Sequence, residues 1–230
     1  MSGVLRRAAL GILTTGVLAP PTLAQSRGAP ICEITDRAQR LLKIEEELNS
    51  GDADLRLATL AYVMERGSPA EKIKAANVAV FGSTDRKMRE LALRYGLAQT
   101  QLLTVVFDPP QFRGGISTQW LQEQGGRFAF VISDFDVATG RFSTRVARPE
   151  ERARRGPFTG PGQVVGETVT AITTYDTSRE PTSVAVSLRL TADGALRGQL
   201  SVSGGYSGGP LAASAAFLGP ADDALPNPLT

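Results

Sequence analysis

The chain has 230 residues, with 25 lysines and arginines, 23 aspartates and glutamates, one cysteine and no histidine. The lack of histidine excludes Ser-His-Asp and Cys-His nucleophiles and zinc sites with histidine ligands, and a single cysteine excludes a framework of internal disulfides. The near balance of charge gives little long-range attraction for nucleic acid.

The chain opens with the pattern of a secretory signal peptide. Arg6 and Arg7 form a basic start, an uncharged apolar run follows over residues 8–19, and Thr22-Leu23-Ala24 offers small residues at a cleavage point. The apolar run is too short to cross a hydrocarbon core of ~30 Å as a helix, and the arginine pair lacks the surroundings of a twin-arginine signal. We therefore expect Sec-type export, cleavage after Ala24, and a periplasmic or secreted protein with no transmembrane segment after cleavage.

Cleavage would remove two of the 25 basic residues and none of the acidic ones, which leaves 23 of each. We accordingly expect a partner that is a protein or an anionic component of the cell envelope, and no nucleic acid. Cys32 lies outside a lipobox. It is either a small buried apolar residue or, in an oxidising compartment, half of a disulfide between two chains, so the oligomeric state stays open.

Residues 36–100 predict a helical module of four short antiparallel helices, preceded by a linker over residues 25–35. The predicted helix starts are Asp36, Asp52, the capping box Ser68-Pro69-Ala70-Glu71, and Ser83-Thr84-Asp85. Glycines at positions 51, 67 and 82 would close the first three helices. This regular spacing resembles a pair of HEAT-type repeats, in which helical hairpins stack, and a plain four-helix bundle is the alternative.

From residue 101 the apolar period changes to two, which predicts a β module over residues 101–218. The seven predicted strands cover residues 102–107, 128–133, 141–146, 164–174, 184–190, 196–203 and 211–217. Asp193-Gly194 is a strong hairpin signal between two of them. Alternation implies one buried and one wet face, so the predicted fold class is α+β, with helical hairpins or a small bundle followed by an antiparallel β-sandwich or small barrel. Residues 219–230 hold three prolines without periodicity and predict a disordered tail.

The segment Gly205-Tyr206-Ser207-Gly208-Gly209-Pro210-Leu211 resembles the nucleophile segment of trypsin-like serine proteases. In that family a histidine takes the proton from the serine, and this chain has no histidine. The resemblance covers seven residues and implies no activity. A glycine-rich turn between two strands accounts for the same residues.

Three carboxylates form the remaining candidate for catalysis. Asp134 and Asp136 stand two apart, but Ala138 and Thr139 occupy positions where a calcium loop requires an oxygen ligand and a glycine, so a hairpin turn ending at Gly140 is favoured. A carboxylate-dependent glycan hydrolase that uses Asp134 or Asp136 with Glu167 is the alternative function. Otherwise we assign no catalytic residues, no metal site and no cofactor.

Residues 141–155 hold six arginines against two glutamates. Arginine binds carboxylates and phosphates through two parallel hydrogen bonds, and envelope glycans and lipids carry both groups. The predicted binding residues are Arg148, Arg152, Arg154 and Arg155, with a solvated loop as the alternative. The sequence therefore predicts an exported, non-enzymatic envelope protein that binds a protein or an anionic envelope component.

Overall fold

The computed structural model describes residues 31–107, 125–147, 159–175, 182–203 and 209–218. Within these residues a helical unit precedes a sheet of antiparallel strands. The helices are α1 (Ile31–Leu48), α2 (Ala53–Arg66), α3 (Pro69–Asn77), which continues into a π-helical turn (Val78–Gly82), and α4 (Arg86–Thr100). The strands are β1 (Leu102–Phe107), β2 (Arg127–Asp136), β3 (Arg141–Ala147), β4 (Thr159–Val165), β5 (Thr168–Tyr175), β6 (Thr182–Leu190), β7 (Ala195–Val202) and β8 (Leu211–Ala216).

Side-chain caps begin three of the four helices. The Asp52 carboxylate accepts a hydrogen bond from the amide of Asp54 at 2.9 Å, and that of Asp85 accepts one from the amide of Lys87 at the same distance. At α3 the amide of Ser68 donates to Glu71 Oε2 at 2.7 Å, and the amide of Glu71 donates to Ser68 Oγ, which completes a capping box. These contacts confirm the predicted starts of α2, α3 and α4.

Helix α1 begins earlier than predicted. It starts at Ile31 rather than at Asp36, so residues 31–35 of the predicted linker are helical. Ile34 continues the heptad spacing of Leu41 and Leu48, so the helical pattern of the sequence reaches back beyond Asp36. Every residue from Glu33 to Arg40 is exposed, so the other helices do not cover this part of α1.

The eight strands form a closed barrel in which each strand pairs with its neighbours in sequence. Closure comes from β8, which pairs with β7 and also with β1, where Val106 lies opposite Ser214. The fold is therefore the predicted α+β class, with a barrel and not a sandwich. The single strand predicted over residues 164–174 is wrong: Gly166 takes a φ of 56°, which glycine adopts without strain, and the chain turns back there to make β4 and β5.

Alternation along the strands separates a dry interior from a polar outer face. The inward residues are mostly apolar and nearly all buried, among them Phe130, Val186, Leu188 and Leu200. Outward positions on β3, β5, β6 and β7 carry mostly arginine, serine, threonine and glutamine. The barrel interior is thus a packed core, and any ligand surface must be sought on the wall, the loops or the helices.

The helical unit closes one end of the barrel. Helix α4 contacts β1, β2 and β4, and the Arg94 guanidinium donates to the carbonyls of Val137 and Ala138 in the β2–β3 turn, at 3.1 and 2.6 Å. Phe217, just after β8, packs directly on Gly96 of α4. One hydrophobic core therefore runs through both parts. No helix in the described part of the chain is long and apolar enough to span a membrane.

Arg89 joins α4 to the barrel by an ion pair and two backbone hydrogen bonds, and a third backbone hydrogen bond stays within the helical unit. Its Nε lies 2.5 Å from Glu167 Oε1 in the β4–β5 turn, and its terminal nitrogens donate to the carbonyls of Val80, Leu190 and Thr191. Arg89 is 8% exposed. These contacts replace the hydrogen bonds to water that the guanidinium loses on burial. Without them, burial of the charge would be costly in free energy.

Candidate ligand-binding surface

A shallow depression of about 390 Å³ lies on the wall of the barrel across β2, β3 and β4. Its lining residues are Ser133, Phe142, Ser143, Thr144, Arg145, Thr159, Gly160 and Pro161. The outward members of this set are the two serines, Arg145, Thr159 and Pro161, which are all exposed. The depression therefore combines hydroxyl groups, one guanidinium and one apolar ring.

Strand register explains why the wall is indented here. Ser133 lies opposite Ser143, and Ser143 lies opposite Pro161, so three short side chains form one row across the three strands. In the next row, on the side away from the helices, Arg145 lies opposite Thr159. A row of short side chains beside a long arginine leaves a groove with a positive edge.

Close packing inside the wall fixes the strands that carry the groove. Gly162 faces inward opposite Phe142, and a Cβ on Gly162 would lie 2.1 Å from the Phe142 ring. Phe142 in turn stacks on Phe135 with ring centroids 5.3 Å apart. Because the glycine makes room for this ring, β3 and β4 approach closely and hold the outward row in a defined position.

Three exposed arginines lie on the outer face of β2 and β3. Arg127 on β2 and Arg141 and Arg145 on β3 have outward positions, and none of them forms an ion pair with another described residue. Two acidic residues, Asp134 and Asp136, lie at the helix end of β2. The outer face of β2 and β3 therefore carries three guanidinium groups without an ion-pair partner among the described residues, together with two carboxylates, of which Asp136 lies opposite Arg141 and is engaged in a turn.

The chain matches no family model, and no similar curated protein or solved structure was found.

The three candidate catalytic carboxylates have separate structural roles. Asp136 organises the β2–β3 turn: it accepts hydrogen bonds from the amide of Ala138 at 2.9 Å and from the Thr139 hydroxyl at 2.7 Å. The Thr139 hydroxyl is the main cause that lowers the pKa of Asp136. Asp134 is exposed at a β-bulge with a φ of 51°. The predicted hairpin turn that ends at Gly140 is confirmed, since its amide donates to the carbonyl of Asp136 at 2.8 Å.

Glu167 belongs to the helix–barrel seam and not to the surface around Asp134 and Asp136. It pairs with Arg89 at 2.5 Å and with Arg189 at 3.2 Å, in the turn between β4 and β5. Burial raises the pKa of Glu167, but the hydrogen bonds from the two arginines outweigh burial and bring the pKa below its ordinary value. The depression beside Glu167 is lined by neither aspartate. The structure does not bring the three carboxylates together, and none of the described His, Cys, Asp and Glu residues group as a metal site would require.

Several predicted site residues lie outside the described part of the chain. They are Arg148, Arg152, Arg154 and Arg155, in the connection between β3 and β4. Ser207, in the glycine-rich segment that implies no activity, also lies outside it. Cys32 lies in the first turn of α1. A disulfide between two chains through Cys32 stays a prediction.

Sequence reasoning missed the outward row of β3, although the signal was present. Arg141, Ser143 and Arg145 alternate with the apolar or small residues Phe142 and Thr144, and the strand itself was predicted. The arginines at 141 and 145 were counted only as part of the arginine-rich stretch. Their separate role depends on Ser133 and Pro161, whose proximity follows from strand pairing rather than from sequence spacing.

Proposed function

We propose that the protein is an exported, non-enzymatic component of the cell envelope that binds an anionic glycan on the barrel wall. The observation that supports this most is the hydroxyl-lined depression on β2–β4 with Arg145 at its edge, on an outer face where Arg127 and Arg141 are also exposed and without an ion-pair partner among the described residues. A glycan of this kind is one form of the anionic envelope component that the sequence predicts as a partner. The signal peptide pattern supports export.

The chemistry of the depression suits a sugar acid. The Arg145 guanidinium can hold a carboxylate with two parallel hydrogen bonds. The hydroxyls of Ser133, Ser143 and Thr159 can exchange hydrogen bonds with sugar hydroxyls, and Pro161 gives an apolar contact for a sugar ring. Arg127 and Arg141 add longer-range attraction, which is screened by salt.

The shape of the surface favours a glycan strand over a bilayer. Proteins that bind a bilayer surface do so with protruding basic and apolar side chains. In this depression the short side chains form the floor of a groove, and Arg145 lies at its edge. A groove that crosses three strands accepts an extended polymer. The carboxylate-dependent hydrolase has no supporting observation, because Glu167 and the two aspartates do not share a cleft.

Sedimentation with purified peptidoglycan sacculi tests this function. We expect the mature protein to sediment with sacculi at low salt and to be released as salt rises. The triple variant R127Q/R141Q/R145Q should bind at least tenfold more weakly. The matched control changes three exposed helix arginines, R37Q/R40Q/R66Q, which alters net charge equally and should bind like the wild type.

The outcomes separate the possible partners. Equal losses in both triple variants would mean attraction by net charge alone and would refute a wall site. Binding to vesicles that contain phosphatidylglycerol, but not to sacculi, would identify a membrane partner and refute the glycan. A quadruple charge reversal at Arg148, Arg152, Arg154 and Arg155 tests the predicted arginine segment in the same assay.

Export has its own test. Fractionation of cells that express the full chain should place the protein in the periplasm or medium, and sequencing of its N-terminus should begin at Gln25, the residue after the predicted cleavage point. A cytoplasmic protein with an intact N-terminus would refute export while leaving the wall site to be judged by sedimentation.

A further inference from the structure

The seam between the helices and the barrel contains a second depression, of about 190 Å³. It is lined by Arg86, Gly166, Glu167, Thr168 and Arg189. Arg86 is the first residue of α4, residues 166–168 form the β4–β5 turn and the start of β5, and Arg189 lies near the end of β6. Three separate elements thus converge on one compact polar site.

The positive charge in this depression exceeds the negative charge. Arg89 and Arg189 both pair with Glu167, whereas Arg86 is exposed and forms no ion pair with another described residue. One carboxylate therefore faces three guanidinium groups, which leaves two positive charges uncompensated. The Arg189 side chain is 66% exposed and uses one of its donors on Glu167, so most of its donors are open to a ligand.

Other acidic residues nearby are already engaged. The carboxylate of Asp85 pairs with Arg56 at 2.9 Å and also caps α4, and Glu90 pairs with Arg94. Lys87, the next residue of α4, is exposed and adds a further positive charge. The excess positive charge at the seam is therefore not balanced by the described residues around it.

We infer that this depression binds the phosphoryl group of a phosphate monoester, or inorganic phosphate, between Arg86 and Arg189. A dianion matches the two uncompensated charges, and the planar guanidinium fork matches phosphate oxygens. The Thr168 hydroxyl lines the same depression and supplies a neutral donor. Glu167 holds Arg189 from the barrel side, so the bound group would bridge α4 and β6. This site is distinct from the glycan groove on β2–β4 and does not depend on it.

Thermal unfolding with added phosphate tests the inference. A ligand that binds only the folded chain raises the midpoint, by roughly 5–10 °C at a hundredfold excess over its dissociation constant. Three probes distinguish the sources of the phosphoryl group. Inorganic phosphate represents a free anion, glucose 1-phosphate a sugar phosphate, and vesicles that contain phosphatidic acid a lipid. Sodium chloride at matched ionic strength is the control for screening.

Arg86→Gln is the decisive variant, because Arg86 is exposed and has no ion-pair partner among the described residues, so its loss should not impair folding. We expect at least tenfold weaker phosphate binding in R86Q. R86K should show an intermediate loss of affinity, because lysine keeps the positive charge but lacks the planar guanidinium group. R66Q, on the exposed surface of α2, should match the wild type. A midpoint shift that sodium chloride reproduces, or that R86Q retains, would overturn the inference, as would no shift at all.

Discussion

The ion pair between Arg89 and Glu167 should determine how firmly the helical unit is attached to the barrel. Arg89→Met keeps much of the side-chain volume but removes the charge and every hydrogen bond from the guanidinium to Glu167, Val80, Leu190 and Thr191. Removal of one partner from a buried ion pair typically costs about 3–5 kcal/mol. Because the side chain of Glu167 is only 12% exposed, we expect a loss within that range.

Glu167→Gln should cost less, about 1–3 kcal/mol. Arg89 would keep its three carbonyl acceptors, and Arg189 is exposed enough to return to water. Urea unfolding of the wild type, both single variants and the double variant gives the coupling between the two side chains, and we expect about 1–3 kcal/mol. A loss below 1 kcal/mol in R89M would refute the view that this contact holds the two parts together.

The same contact predicts a pH dependence. The pKa of Glu167 is lowered in the folded protein, so its contribution is present above the unfolded value, about 4.3 for glutamate, and is lost as pH falls through the folded value. The difference in unfolding free energy between the wild type and E167Q should therefore be constant near neutral pH and should shrink below about pH 4. A difference that grows on acidification would contradict the ion-pair assignment.

Two further substitutions test the packing of the barrel. Gly162→Ala should destabilise by about 1–3 kcal/mol, because its Cβ would overlap the Phe142 ring, and Phe142→Leu in the same chain should recover part of the loss; equal losses in the single and double variants would show that the ring is not the cause. Thr144→Val should be neutral or stabilise by up to about 1 kcal/mol, because Thr144 is buried and its Oγ1 lacks a hydrogen-bond partner among the described residues. A loss above 1 kcal/mol on urea unfolding would mean that the hydroxyl is satisfied.

Local signals in the sequence were sufficient to predict the ends of those helices and strands whose ends are determined by neighbouring residues. Asp52 and the Ser68–Glu71 pair act within one helical turn, so the starts of α2 and α3 can be predicted from sequence. The hairpin at Asp193-Gly194 is likewise local, and it does join β6 to β7. The end of a strand at Gly166 was missed, because β-branched residues on both sides suggested one continuous strand.

Closure of the sheet and the composition of the surface groove depend on distant contacts. The pairing of Val106 with Ser214 joins residues more than a hundred positions apart, and no local pattern distinguishes it from the free edge of a sandwich. Ser133, Ser143 and Pro161 become neighbours only through the register of three strands. Arg89 likewise reads as an ordinary surface residue of a helix until its partner Glu167, 78 residues away, is known.

Chemical-shift mapping on the isotope-labelled mature protein tests the proposed glycan surface most directly. Titration with an oligogalacturonate, a carboxylate-bearing glycan, should shift the amides of Ser133, Ser143 and Arg145, and the uncharged oligosaccharide cellohexaose should shift them much less. We expect these shifts to be lost in R127Q/R141Q/R145Q. Shifts that map to the helices or to the opposite wall at Ser187 and Gln199, or no shifts with either glycan, would refute the glycan surface.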